Sequence, residues 1–183
     1  YDRREVRDLL AYLRLVANPA DDEAFLRAIA VPKRGIGDAS IAQLREAADA
    51  WEKSLLETAA IADRIQGMRP NVRNAFQTFA ALPDGLRPRM ATMAPAAILE
   101  EVVTALDYEA YLSADGTEGL DRWENVRELV AGAASWSEVV ADPESEAAPL
   151  EQFLTEAALL SANDKREGAE DGVTLMTLHT AKG

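Results

Sequence analysis

The chain has 183 residues, no cysteine, a single histidine and a formal net charge of −13 at pH 7, and it is 48% hydrophobic but only 6% aromatic. The lack of cysteine excludes disulfide frameworks and thiolate metal sites. The lack of a secretory signal or a long apolar run predicts a cytoplasmic protein with no membrane partner, and the abundance of Ala, Leu and Glu favours a mainly α fold.

The first two predicted elements are amphipathic helices. Apolar residues over 4–16 recur three to four positions apart, and Asn18-Pro19 ends the segment. Residues 21–30 repeat this spacing, with Asp21 or Asp22 as the N-cap. Both segments are therefore expected to pack one face against a common core.

A glycine hairpin, Gly35-Ile36-Gly37, follows the second helix. Two glycines around one apolar residue allow a sharp turn with φ > 0 and a close approach to the main-chain amides, while Ile36 is expected to face inward between the helices. Exposed amides, a helix N-terminus, Lys33 and Arg34 together describe an anion site, and in a helix–hairpin–helix setting the usual anion is a nucleic-acid phosphate. The alternative is that the glycines only close an ordinary turn between helices.

The helix after the hairpin has two candidate caps. Ser40 and Gln43 fit a capping box, Asp38 is a rival, and the sequence does not choose between them. Four basic residues and one acid lie between positions 27 and 45, whereas positions 138–171 hold ten acids and two basic residues. A basic patch on an acidic body predicts local binding of a duplex with weak overall affinity.

The remaining pattern is helical as far as residue 161. Helices are predicted over the segments that start at Ser54 and Pro70, then over 95–112, 118–140 and 149–161, with a loop over 83–92 because that stretch contains prolines and a glycine. Leu120 and Leu160 are expected on the buried faces of the last two helices.

The character of the chain changes after residue 161. Residues 162–172 are polar and acidic and are expected to form a linker, and 173–178 are β-branched and apolar, which predicts a strand. No other strand is predicted to pair with it. We therefore expect it to belong to a sheet outside this chain, which would be a piece of a larger protein.

Several isolated candidates favour structural roles. Trp51, Trp123 and Trp136 lie at helical spacing and are better core residues than stacking platforms. The lone His179 has no metal or nucleophile partners in the sequence pattern. Five arginines between 64 and 89 could extend a phosphate track, although a solvated face is the simpler interpretation.

Four landmarks give the chain a family resemblance. The segment 174–183, Thr-Leu-Met-Thr-Leu-His-Thr-Ala-Lys-Gly, resembles motif V of the UvrD/PcrA/Rep family of superfamily 1 DNA helicases. The start, Tyr-Asp-Arg-Arg-Glu-Val-Arg-Asp, looks like the segment that leaves the second RecA-like domain. The sequence Pro-Lys-Arg-Gly-Ile-Gly at 32–37 looks like the family's duplex-contact motif, and 120–129 is similar to its later Arg-x-x-Asn motif.

This resemblance implies a helical 2B subdomain over 1–172, with residues 1–8 as the hinge from motor domain 2A, and the start of the 2A motif V strand over 173–183. In the family, 2B swivels and grips duplex DNA during 3′-to-5′ unwinding. The match assigns DNA contact to eight residues: Lys33, Arg34, Gly35, Ile36, Gly37, Ser40, Arg122 and Asn125. It assigns motor coupling to five more: Thr177, His179, Thr180, Lys182 and Gly183.

The chain lacks the Gly-rich phosphate loop, the magnesium-binding Asp-Glu pair and the catalytic arginines of the family, and motif V stops before its usual Leu-Glu. We therefore expect no metal, cofactor or catalytic residue in this chain, but ATP and Mg2+ in the parent helicase. The expected partners are double-stranded DNA, single/double-strand junctions, helicase domains 1A, 1B and 2A, and repair proteins.

Two other functions compete with that of a duplex-gripping subdomain. A repair lyase or glycosylase would need a base-flipping pocket with a catalytic Lys or Asp, and the three lysines after the hairpin are not in a buried pattern. A protein-interaction module that docks a repair or transcription partner through its acidic helices remains the main alternative.

Overall fold

A computed structural model describes residues 3–142 and 144–167. Within them are nine α-helices and two 3-10 helices, at Ala62–Arg64 and Arg87–Arg89. The α-helices are α1 (Arg4–Ala17), α2 (Asp22–Ile29), α3 (Asp38–Trp51), α4 (Leu55–Ala60), α5 (Pro70–Leu86), α6 (Pro95–Ala105), α7 (Tyr108–Ser113), α8 (Thr117–Val139) and α9 (Pro149–Glu167). The mainly α fold is confirmed, while the predicted strand over 173–178 lies outside the described residues.

Helix α1 is the central element of the molecule. It packs against α2, α5, α6, α8 and α9, and its buried side chains include Leu9, Leu13 and Val16. A helix that is buried on several faces must be surrounded by other elements. Residues 4–8, expected in a hinge, form the first turns of this helix.

Helix α5 overturns the loop predicted over 83–92. It runs through Pro83 as far as Leu86, and a 3-10 turn then follows directly. Pro83 is buried in register with Phe76, Phe79 and Leu86. A proline inside a helix removes one backbone hydrogen bond and costs about 3 kcal/mol, and here the continuous apolar face offsets that cost.

The predicted helix over 95–112 is two helices. Asp107 adopts the left-handed conformation, with φ 47° and ψ 46°, and separates α6 from α7. Asp is one of the few residues other than Gly that tolerates this region. No Gly or Pro marks the break in the sequence, so the periodicity alone predicted one helix.

The last two helices differ from the prediction in detail. Leu120 is 57% exposed and Leu160 is 40% exposed, so neither lies on the buried face as expected. In α8 the buried face instead includes Gly119, Val126 and Leu129, because Gly119 packs directly against the backbone of α7. Helix α9 extends to Glu167, so the linker predicted from residue 162 does not begin there. Polarity alone does not end a helix, and the first glycine comes only at Gly168.

None of the helices in the described ranges is both long enough and apolar enough to span a bilayer.

Candidate nucleic-acid interface

The hairpin connects the end of α2 to the start of α3. The Val31–Pro32 peptide bond is cis, and Gly35 has a φ of +71°, which is the left-handed region that favours glycine. Ile36 is partly buried and packs against the core, as the inward-facing interpretation expected. Both glycines are exposed, with open space where a Cβ would lie.

The main-chain amides of the hairpin are available as hydrogen-bond donors. In the described part of the chain, no acceptor takes the N–H of Gly35, Ile36 or Gly37, nor those of Asp38 and Ala39 in the first turn of α3. A helix N-terminus carries a partial positive charge in addition to its free amides. The arrangement can therefore accept an anion that approaches from solvent.

Neither predicted cap is correct for α3. The N-cap is Gly37, which has no side chain to accept a hydrogen bond, and its carbonyl accepts the amides of Ser40 at 2.9 Å and Ile41 at 3.1 Å. Asp38 is already the first helical residue, and Ser40 is only 7% exposed. Ser40 therefore lies within the first turn of α3, and its assignment to phosphate contact stays a prediction. An N-cap without a side chain leaves the amides uncovered.

The two basic residues of the hairpin lie in different environments. Lys33 is exposed and has no hydrogen-bond or ion-pair partner in the described ranges. Arg34, expected to face a phosphate, turns inward: Nη1 donates to the carbonyls of Pro32 at 2.8 Å and Ile29 at 3.1 Å, and Nη2 donates to the Tyr12 hydroxyl at 2.6 Å. The charge that reaches solvent at the hairpin is therefore smaller than the sequence indicated.

Arg27 is also paired with a carboxylate of the fold. Its guanidinium lies 2.7 Å from the carboxylate of Asp8, which is buried in α1. Burial raises the pKa of the Asp8 carboxyl above 3.8, and the neighbouring Arg27 only partly opposes this shift. Of the four basic residues between 27 and 45, Lys33 and Arg45 remain exposed without a partner in the described ranges.

Neither Arg122 nor Asn125 forms a hydrogen bond or an ion pair with a residue of the hairpin. Arg122 pairs with Asp115 at 3.1 Å and with Glu118, both close in sequence, and these carboxylates raise its pKa further. Asn125 donates from Nδ2 to the buried carboxylate of Glu5 at 2.6 Å, which ties α8 to α1. These contacts lie within the fold, and the DNA contact that the resemblance assigned to both residues stays a prediction.

The other candidate side chains are largely structural. Trp136 is buried and meets Phe153 edge to face at 5.5 Å, as the core interpretation predicted, while Trp51 and Trp123 are partly buried against the core. Among the five arginines between 64 and 89, three bind groups of the fold, namely Arg73 (carbonyl of Ile65), Arg87 (carbonyl of Leu15) and Arg89 (carboxylate of Glu101).

The five motif V residues, Thr177, His179, Thr180, Lys182 and Gly183, lie outside the described residues. Within the described ranges, no group of His, Asp or Glu side chains is arranged to hold a metal ion.

The sequence interpretation missed a polar row on α1. Glu5, Asp8 and Tyr12 are all buried and lie three and four residues apart, which places them on one side of the helix. Burial raises the pKa of Tyr12 to about 12. The spacing of these polar residues was a readable signal, but the apolar periodicity of the same helix dominated the interpretation.

Comparison with known proteins places this geometry in context. A family model described as UvrD-like helicase C-terminal domain matches residues 1–58 and 76–183. The chain is 34% identical over 190 residues to the ATP-dependent DNA helicase PcrA of Bacillus subtilis (strain 168), and 34% identical over 191 residues to DNA helicase II of Escherichia coli (strain K12). Both alignments cover 100% of this chain and 25% of the relative, so the chain spans about a quarter of their length.

Proposed function

The chain belongs to the family of UvrD-like helicase C-terminal domains, and from this membership we propose that it is the accessory 2B subdomain of an ATP-dependent 3′-to-5′ DNA helicase. Its helical module occupies residues 1–172, and residues 173–183 begin motif V of motor domain 2A. The helical fold, the order of the four sequence landmarks and the names of the relatives support this assignment.

The proposed task of the module is to hold the duplex ahead of the fork through the hairpin. The observation that carries this proposal is a row of amides from Gly35 to Ala39, at the N-terminus of α3 and beside the exposed Lys33, that have no acceptor among the described residues. Backbone amides bind phosphate oxygens and do not distinguish one base sequence from another. The grip is therefore independent of DNA sequence, as an enzyme that travels along DNA requires.

The parent protein supplies the remaining functions in this proposal. ATP and Mg2+ are bound and used by the motor domains, and the proposed residues that couple nucleotide to DNA are Thr177, His179, Thr180, Lys182 and Gly183. Arg122 and Asn125 brace the module in this proposal, Arg122 through Asp115 and Glu118 and Asn125 through Glu5. Domains 1A, 1B and 2A, single/double-strand junctions and repair proteins are the proposed partners.

The test uses one position with two nearly isosteric substitutions. Gly37 has a φ of −103° and open space around its absent Cβ, so it accepts a side chain without strain. Gly37→Asp adds a negative charge at the N-cap, where Asp also favours the helix. We expect Gly37→Asp to weaken binding of the 183-residue chain to a short duplex about tenfold at low salt, with an unchanged or slightly raised melting temperature.

Gly37→Asn is the matched control, because it adds a side chain of the same size at the N-cap without the charge. It is expected to bind the duplex clearly better than Gly37→Asp. Fluorescence anisotropy with a labelled duplex measures both affinities. Equal affinity of the wild type and both variants would refute duplex contact by the hairpin and favour the protein-interaction alternative, in which the acidic helices dock a partner.

A further inference from the structure

Arg34 is partly buried in a polar cage at the base of the hairpin, formed by the Tyr12 hydroxyl and the carbonyls of Ala28, Ile29 and Pro32. Its Nη1 reaches the carbonyls of Ile29 and Pro32, with a longer contact of 3.4 Å to the carbonyl of Ala28. Ala28 and Ile29 end α2, where the last carbonyls lack partners within the helix. The guanidinium therefore caps the C-terminus of α2. Arg34 itself directly precedes Gly35 in the chain.

Tyr12 completes the cage from the central helix. Its hydroxyl accepts the Nη2 donor of Arg34 at 2.6 Å and donates to the carbonyl of Val31, also at 2.6 Å. The Arg34 guanidinium carbon lies 5.9 Å from the centre of the Tyr12 ring and 5.1 Å from that of Phe79, close enough for cation–π attraction. The buried Tyr12 side chain thus binds both Val31 and Arg34 in the turn before the glycines.

The polar row on α1 connects this cage to two other elements. Glu5 accepts from Asn125 of α8, Asp8 pairs with Arg27 of α2, and Tyr12 holds Arg34 of the hairpin. Each contact joins the central helix to a different part of the molecule. The hairpin is therefore fixed to the core through specific polar contacts as well as through apolar packing.

We infer that Arg34 and Tyr12 are positioning residues: they hold the hairpin so that the amides of Gly35, Ile36 and Gly37 face a phosphate, and Arg34 is not itself a phosphate ligand. The inference rests on the proposed function, in which the hairpin meets the duplex. It depends on the fork geometry of Arg34, since the planar guanidinium donates from Nη1 to the carbonyls and from Nη2 to the Tyr12 hydroxyl at the same time.

Two substitutions separate positioning from direct contact. Arg34→Lys keeps the positive charge but loses the fork, and Tyr12→Phe removes only a hydroxyl from a side chain that is 1% exposed and cannot touch DNA. Positioning predicts that each variant binds a short duplex at least about fivefold more weakly than the wild type. It also predicts an unchanged slope of log affinity against log salt, because no charged phosphate contact is lost.

Direct contact predicts the opposite pattern. Arg34→Lys would then keep most of the affinity through its charge, and Tyr12→Phe would bind as the wild type does. Wild-type affinity in either variant therefore overturns the inference, and so does a lower salt slope in Tyr12→Phe. The control is Tyr111→Phe, which removes a hydroxyl from a partly exposed tyrosine outside the cage, and it is expected to bind normally.

A second readout needs no DNA. The amide resonances of Gly35 and Gly37 in a 1H–15N spectrum of the free chain are expected to move in Arg34→Lys and Tyr12→Phe, and to stay in place in Tyr111→Phe. Unmoved resonances in the first two variants would overturn the inference whatever the duplex affinities are. Loss of the difference between Gly37→Asp and Gly37→Asn would instead refute the proposed function, so the two failures are distinguishable.

Discussion

At the scale of single residues, the partner of each charge decides what that charge can do. Arg27, Arg34 and Arg122 are three basic residues that the sequence made available to DNA, yet each is paired within the fold. Lys33 is the exposed cation next to the glycines. The proposed anion site at the hairpin therefore consists mainly of neutral amides, with little contribution from formal charge.

The contribution of Asp8 to the free energy of unfolding is expected to change with pH in a definite direction. Burial raises its pKa in the folded protein above the ordinary value of 3.8. The protonated carboxyl therefore contributes stability that is fully present below about pH 3.8 and is lost as the pH rises through the raised pKa. We expect the free energy of unfolding of the wild type, minus that of Asp8→Asn, to fall over this window.

Urea denaturation of both proteins at a series of pH values between about 3 and 6 measures this difference. Because Asn does not titrate, subtracting the Asp8→Asn values removes the background contribution of the other carboxylates. A difference that grows with pH would contradict the prediction, because it would mean that the ion pair with Arg27 outweighs the cost of burying the carboxylate.

At the scale of elements, periodicity predicted where helices lie better than where they begin and end. The apolar spacing of α1, α2 and α5 was correct because those faces do pack on the core. The cap of α3, the continuation through Pro83 and the break at Asp107 could not be predicted, because each depends on packing or backbone conformation that no local pattern encodes. The inward turn of Arg34 likewise depends on Tyr12, 22 residues away in the chain.

Gly119 provides a prediction at this scale, since it marks the close crossing of α7 and α8. A Cβ at this position would lie 1.9 Å from the backbone carbonyl oxygen of Leu112, and a backbone atom cannot rotate away. We expect Gly119→Ala to lower the free energy of unfolding by about 3 kcal/mol, measured by urea denaturation.

Gly85, in the last turn of α5, is the matched control. Open space surrounds its absent Cβ, so Gly85→Ala is expected to raise stability by about 0.5 kcal/mol through helix propensity. Similar small effects of the two substitutions would contradict the close crossing of the two helices.

At the scale of the whole molecule, charge is distributed unevenly between the hairpin and the rest of the chain. The formal net charge is −13, and residues 138–171 carry a large excess of acids over basic residues, whereas the hairpin offers free amides and Lys33. A body of this charge repels DNA except where local contacts overcome the repulsion. The module is thus suited to hold a duplex weakly and to release it, which agrees with the proposed role of a swivelling accessory to a motor.

The most direct test of duplex contact by the hairpin is a titration of the 15N-labelled chain with a short blunt duplex, followed by 1H–15N spectroscopy. Contact through free amides predicts that the resonances of Gly35, Ile36, Gly37, Asp38 and Ala39 shift most, and that the shifts fade as salt is added. Shifts confined to the acidic residues of α9, or no shift in the hairpin at saturating duplex, would contradict it.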